Sequence, residues 1–156
     1  MSNDSPEPQP VQRPLLQDLQ IGRRFVTDTY TVTGEQIRSF AAQFDPQPFH
    51  LDEQAARATL FGGLVASGWH TEAITMRRLV QSGAAFAGGS VGLGAQSSWL
   101  HPVRPGDVLQ VRAEVLEMVP SRSRPERMRV TMRSETCNQH GTGVQVSTAK
   151  MRVPRR

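Results

Sequence analysis

The chain has 156 residues, a net charge of +4, 37% hydrophobic and 21% charged residues, and one cysteine. That length suits one globular domain with a real core, and no apolar run reaches the roughly 18–20 residues of a membrane span. A lone Cys137 excludes an internal disulfide and reads as a small buried hydrophobe.

Residues 1–14, MSNDSPEPQPVQRP, hold four prolines and almost nothing apolar. They read as a disordered tail ahead of a single domain over residues 15–156. They also lack the basic-then-apolar order of a secretory signal, so a cytoplasmic protein is expected. Leu15, Leu16, Leu19 and Ile21 are expected to pack on that domain. Phe25 to Val32 is β-branched and aromatic and reads as a strand. Thr33 followed by Gln36 is a capping box that opens a helix carrying Ile37, Phe40, Ala41 and Phe44 at helical spacing. The helix stops before Pro46.

Asp45 and His50 come next, separated by Pro46-Gln47-Pro48-Phe49. Each proline removes a donor and restricts its predecessor, so a stiff, extended loop is expected to hold the pair. Asp52 is a candidate cap for a short helix through Ala58. Phe61-Gly62-Gly63 then enters the longest apolar stretch, which predicts a helix over Leu64–Gln81. A glycine pair at a helix start would leave positive N–H groups exposed near Gly63 to Gly68.

Four strands follow. Val91 to Leu100 alternates. Arg104-Pro105-Gly106-Asp107 is a turn. Val108 to Met118 places Leu109, Val111, Ala113 and Val115 on one face. Arg127 to Cys137 alternates arginine with Met128, Val130 and Met132. Asn138-Gln139-His140-Gly141 is a hairpin turn, and Val144 to Val153 is the last strand. Short connections force antiparallel neighbours. An α+β fold is expected, one antiparallel sheet wrapped around the long helix. The arginines of the third of these strands suit a solvated face better than nucleic acid, because no aromatic side chains interleave with them. A phosphate docking role is the alternative.

These residues resemble a known family. Phe40-Ala41-x-x-x-Asp45-Pro46-Gln47-Pro48-Phe49-His50-x-Asp52, then Phe61-Gly62-Gly63-Leu64-Val65-Ala66-Ser67-Gly68-Trp69, and later Val103-Arg104-Pro105-Gly106-Asp107, are similar to the MaoC-like hot-dog hydratases. These are (R)-specific 2-enoyl-CoA hydratases and related acyl dehydratases. The resemblance runs from about Leu15 to Val153. It implies the hot-dog fold, a homodimer, and reversible hydration of 2-enoyl-CoA to 3-hydroxyacyl-CoA. It makes Asp45 and His50 the catalytic pair, with Gly63, Ser67, Gly68 and Trp69 on the substrate. Gln47 stands where the family motif has Asn, and Ser67 where many members have His.

The chemistry is consistent with the residues. Hydration of an enoyl thioester needs a base for water, an acid for the α-carbon and donors for the enolate oxygen. An Asp and a His on one water can supply the first two, and a helix N-terminus the third. No metal and no cofactor is needed beyond coenzyme A, or an acyl carrier, as part of the substrate. No nucleic-acid or membrane partner is expected. A hot-dog thioesterase and a non-catalytic acyl-thioester binding protein remain alternatives. His70 reads as a packed or pocket-lining residue, and His101 and His140 as surface residues. Trp69 reads as core, or else as part of an acyl pocket.

Overall fold

The computed structural model describes residues 18–84 and 89–154. The expected tail over 1–14, Leu15, Leu16 and Gly88 lie outside these residues. In chain order the elements are β1 (Arg24–Val26), β2 (Tyr30–Thr31), α1 (Gly34–Phe44), α2 (Pro48–Leu51), α3 (Glu53–Arg57), α4 (Gly68–Gln81), β3 (Val91–Trp99), β4 (Val108–Pro120), β5 (Arg127–Cys137) and β6 (Gly143–Pro154). The strands form one antiparallel sheet in the order β1-β4-β5-β6-β3, with β2 also on β4. Among the described residues β3 is an edge with one free side. The expected α+β arrangement is present.

The single strand expected over Phe25–Val32 is two short ones. Thr27 breaks it. Its hydroxyl accepts from the Val111 N–H at 3.0 Å and donates to the Asp28 carbonyl at 2.8 Å. A side chain that bonds nearby backbone in this way competes with the ladder. On β4 the predicted face holds: Leu109, Val111, Ala113 and Val115 are all buried. On β5 Val130 and Met132 turn inward while Arg129 and Arg133 are exposed, as a strand with one wet face requires. On β3 a bulge between Gly92 and Gly94 interrupts the alternation.

The capping box at Thr33 is formed, with Gln36 returning the bond to the Thr33 N–H. Of the α1 stripe, Ile37 and Ala41 are buried, but Phe44 is 69% exposed. The long helix begins later than its apolar run. Leu64, Val65 and Ala66 are extended, because their N–H groups are bound by Glu53 Oε2, the Phe49 carbonyl and the Val103 carbonyl. Gly62 makes the turn before them with φ +66°. All three side chains are buried, each Leu or Val contributing about 1.5–3 kcal/mol. The helix therefore starts at Gly68, not at the expected Leu64.

α4 buries His70, Thr71, Ile74 and Thr75, and Thr75 bonds the sheet at Thr136 and Gln145. Ile74 joins Val32, Ile37, Leu64, Val103, Leu109 and Val144 in one core cluster. The other gathers Leu19, Ala113, Val115, Val130, Met132 and Val153, with Leu79 against it. Among the described residues no helix is long and apolar enough to cross a membrane. Cys137 is buried as expected, and burial, with Glu135 beside it, pushes its thiol pKa up.

Candidate active site

The end of α1 positions Asp45. Its N–H bonds the Ala41 carbonyl at 2.9 Å, and its φ of −153° then takes the chain out of the helix. Pro46 demands this, since the residue before a proline is driven out of the α region. Pro48 does not hold the following segment extended, as expected from sequence. It sits at the first position of the one-turn helix α2, where a proline loses nothing because that N–H has no helical partner. That turn aims His50 inward, leaving it 5% exposed.

The two residues meet. His50 Nε2 lies 3.3 Å from Asp45 Oδ2, and His50 Nδ1 lies 2.7 Å from the Val65 carbonyl oxygen. A carbonyl only accepts, so Nδ1 carries a ring hydrogen, and Nε2 faces the carboxylate. Asp45 has further donors. Gln47 Nε2 donates to Oδ1 at 2.7 Å and Ser67 Oγ donates to Oδ2 at 2.7 Å. Burial pushes the Asp45 pKa up. The hydrogen bonds from Gln47 and Ser67 and the neighbouring His50 outweigh it and leave the carboxyl below its ordinary 3.8.

Ser67 has a second role. It is the N-cap of α4, its Oγ accepting from the Trp69 N–H at 3.3 Å. The hydroxyl thus couples the positive helix end to the carboxylate. The His70 and Thr71 N–H groups bond the Ser67 carbonyl. The Gly68 N–H has no bonded partner among the described residues, and Gly68 lines the cavity beside Asp45 and His50. Gly63 does not reach this cavity. It lies near Glu53 and Arg104.

The cavity holds about 390 Å³. Phe49 and Phe61 pack edge to face on one wall, with ring centroids 5.2 Å apart, and Trp69 and Trp99 do the same on the other, also at 5.2 Å. Trp69 is not core; it is 62% exposed at the mouth. Trp99 lies over Gly68, donating its Nε1–H to the Gly68 carbonyl at 2.9 Å. A Cβ on Gly68 would come within 2.6 Å of that ring, so glycine is required there. Arg104, in the predicted turn, donates to the Phe61 carbonyl at 2.7 Å and steadies the opposite wall. His101 is exposed, as expected, but on the rim of the cavity. His70 is buried outside it, stacked on Phe40 at 4.7 Å. Phe49, Phe61 and Trp99 carried no site signal in the sequence. An aromatic residue in an alternating strand or beside a proline looks the same in any core.

Residues 17–138 match the family described as MaoC like domain, most of the chain. This chain belongs to the MaoC-like dehydratase family. It is 56% identical to a MaoC-like dehydratase from Rhodospirillum rubrum, with a TM-score of 0.88, covering 92% of this chain and 98% of that one. The R-hydratase PhaJ1 from Pseudomonas aeruginosa is 28% identical, with a TM-score of 0.74 over 94% of this chain and 89% of its own. A 3-hydroxybutyryl-CoA dehydratase from Methylorubrum extorquens is 30% identical over 112 residues, 69% of this chain and 68% of that protein. The fold is accordingly the hot-dog fold, and the family supports hydratase or dehydratase chemistry in general.

Proposed function

We propose that this MaoC-like protein reversibly hydrates 2-enoyl thioesters to 3-hydroxyacyl thioesters, with coenzyme A as the carrier. The observation that carries the reading is the meeting of Asp45 and His50 on the wall of one apolar cavity, with Ser67, the N-cap of α4, bonded to Asp45. Two relatives support the direction of the chemistry, one named an R-hydratase and the other a 3-hydroxybutyryl-CoA dehydratase.

In this reading a water binds from the cavity side against both Asp45 Oδ2 and His50 Nε2. His50 Nε2 takes its proton, and the water oxygen bonds the β-carbon. The π electrons of the carbon–carbon bond move to the thioester oxygen, which the Gly68 N–H stabilises as an enolate. The proton returns from His50 to the α-carbon and restores the carbonyl. One water is added overall, and no other co-reactant is consumed. Asp45 stays ionised and balances the transient imidazolium, a role suited to a carboxyl whose pKa is held low. Gln47, longer than the family's Asn, still reaches Asp45 and fixes its second oxygen.

We further propose a homodimer formed through β3. The free edge of that strand and the exposed Val91, Leu93, Trp99 and Leu100 call for cover. Light scattering coupled to size exclusion tests this, and a monomer at micromolar concentration would end it.

The test of the activity uses a panel of trans-2-enoyl-CoA esters, following enoyl absorbance and free thiol together. Loss of enoyl absorbance without thiol is the expected result. Thiol release would mark thioester cleavage instead. Neither change, with acyl-CoA still bound, would mark a binding protein.

A further inference from the structure

The face of the sheet that meets α4 carries a polar band where hydrocarbon would be the ordinary choice. Thr136, Gln145 and Trp99 are cross-strand partners in one row over β5, β6 and β3. Thr75 of α4 stands against this row. Its Oγ1 lies 2.6 Å from Thr136 Oγ1 and accepts from Gln145 Nε2 at 3.2 Å. Gln145 Oε1 accepts from Trp99 Nε1 at 2.9 Å. Gln145 is 1% exposed and Thr75 2%. A continuous chain of hydrogen bonds therefore crosses the groove between helix and sheet.

The two ends of this bar line different cavities, Trp99 the catalytic one and Thr75 a second. The catalytic cavity reaches Thr71 on the inner stripe of α4. One turn further along that stripe, Thr75 lines a second cavity of about 70 Å³, with Leu79, Met132, Ala149 and Met151. That cavity shares Met76, Val80 and Met151 with an apolar groove of about 460 Å³ beside β3. Apolar space thus lies along the helix on either side of the bar.

We propose that the Thr75–Gln145–Trp99 bar is the end stop of the acyl channel and sets the longest chain the site accepts. This rests on the acyl-thioester reading of the catalytic cavity. The bar lies about 10 Å along α4 from Gly68, near the reach of an extended octanoyl chain. A longer chain can pass only by moving Gln145, whose amide would then be buried without its partners. A bar that served only to fasten α4 to the sheet would give no dependence on chain length.

The test is calorimetric titration with saturated acyl-CoA esters from butyryl to dodecanoyl, which bind without turnover. For the wild-type protein, affinity should rise about fourfold for each added methylene buried, up to octanoyl, and no further. Gln145→Ala should extend the rise through dodecanoyl. Thr75 keeps Thr136, and Trp99 keeps the Gly68 carbonyl, so the variant retains its helix–sheet contacts. A wild-type protein that binds dodecanoyl-CoA more tightly than octanoyl-CoA overturns the proposal, whatever the variant does. A Gln145→Ala protein whose rise still stops at octanoyl also overturns it while the hydratase reading stands. Failure to bind any acyl-CoA would remove that reading, and the bar with it.

Discussion

His50 Nε2 lies 3.3 Å from Asp45 Oδ2 while the opposite ring nitrogen is tied to the Val65 carbonyl. The ring can neither flip nor change tautomer without losing that bond. Asp45→Asn and His50→Ala should each lower turnover by about 10²–10⁴-fold with far-ultraviolet dichroism unchanged. Rates within a factor of a few of wild type would remove both residues from the chemistry.

Ser67 and Gln47 hold the same carboxylate but differ in what else they do. Ser67→Ala removes a donor to Asp45 and an N-cap together, so it should cost about 1 kcal/mol of stability as well as turnover. Gln47→Leu should affect the carboxylate alone and leave the melting temperature nearly unchanged. In both variants the Asp45 pKa rises, so the acid limb of the rate profile should move to higher pH. Comparing pH–rate profiles with urea melts separates the two.

Gly68→Ala places a methyl group into the Trp99 ring. The ring is fastened to Gln145 and to the Gly68 carbonyl, so it cannot yield freely, and a loss of about 1–3 kcal/mol is expected. Trp99→Leu should relieve the clash. The double variant should then lose less stability than the sum of the singles, as contacting sites allow. Strict additivity in denaturant melts would contradict the contact.

Burial lowers the His70 pKa from its ordinary 6.5, and His70 Nδ1 has no hydrogen-bond partner among the described residues. The unfolded chain therefore binds this proton more readily than the folded one. Stability should fall as pH drops below 6.5 and stop falling from this source once the folded-state pKa is passed. His70→Phe should flatten that window in pH-dependent melts. Asp45, also depressed, should contribute stability that is fully present above its ordinary 3.8 and is lost as pH falls below it. An unchanged slope in the His70 variant would show that other groups set it.

The sequence announced the Asp45–His50 pair because prolines restrict the backbone locally, and local restrictions are legible. The capping box at Thr33 and the inward face of β4 were readable for the same reason. The start of α4 was not. Leu64, Val65 and Ala66 are apolar because they are buried, and a buried extended segment has no periodicity to tell it from a helix. Trp99 reaches the site only because β3 pairs with β6 and the sheet curls over Gly68. That proximity joins residues thirty-one positions apart, and no spacing rule reports it. Phe44 and Trp69 kept helical spacing yet face outward, since periodicity marks a stripe and not what covers it.

Both tryptophans of the chain, Trp69 and Trp99, stand at the same cavity, one at its mouth and one hydrogen-bonded across its wall. The protein's ultraviolet emission therefore originates at the place where a ligand would arrive. Trp69 is largely in water and Trp99 is in contact with two carbonyl oxygens, so the two emit from different surroundings. A thioester entering between them would quench or shift the light with no label attached. The chain carries its own optical probe.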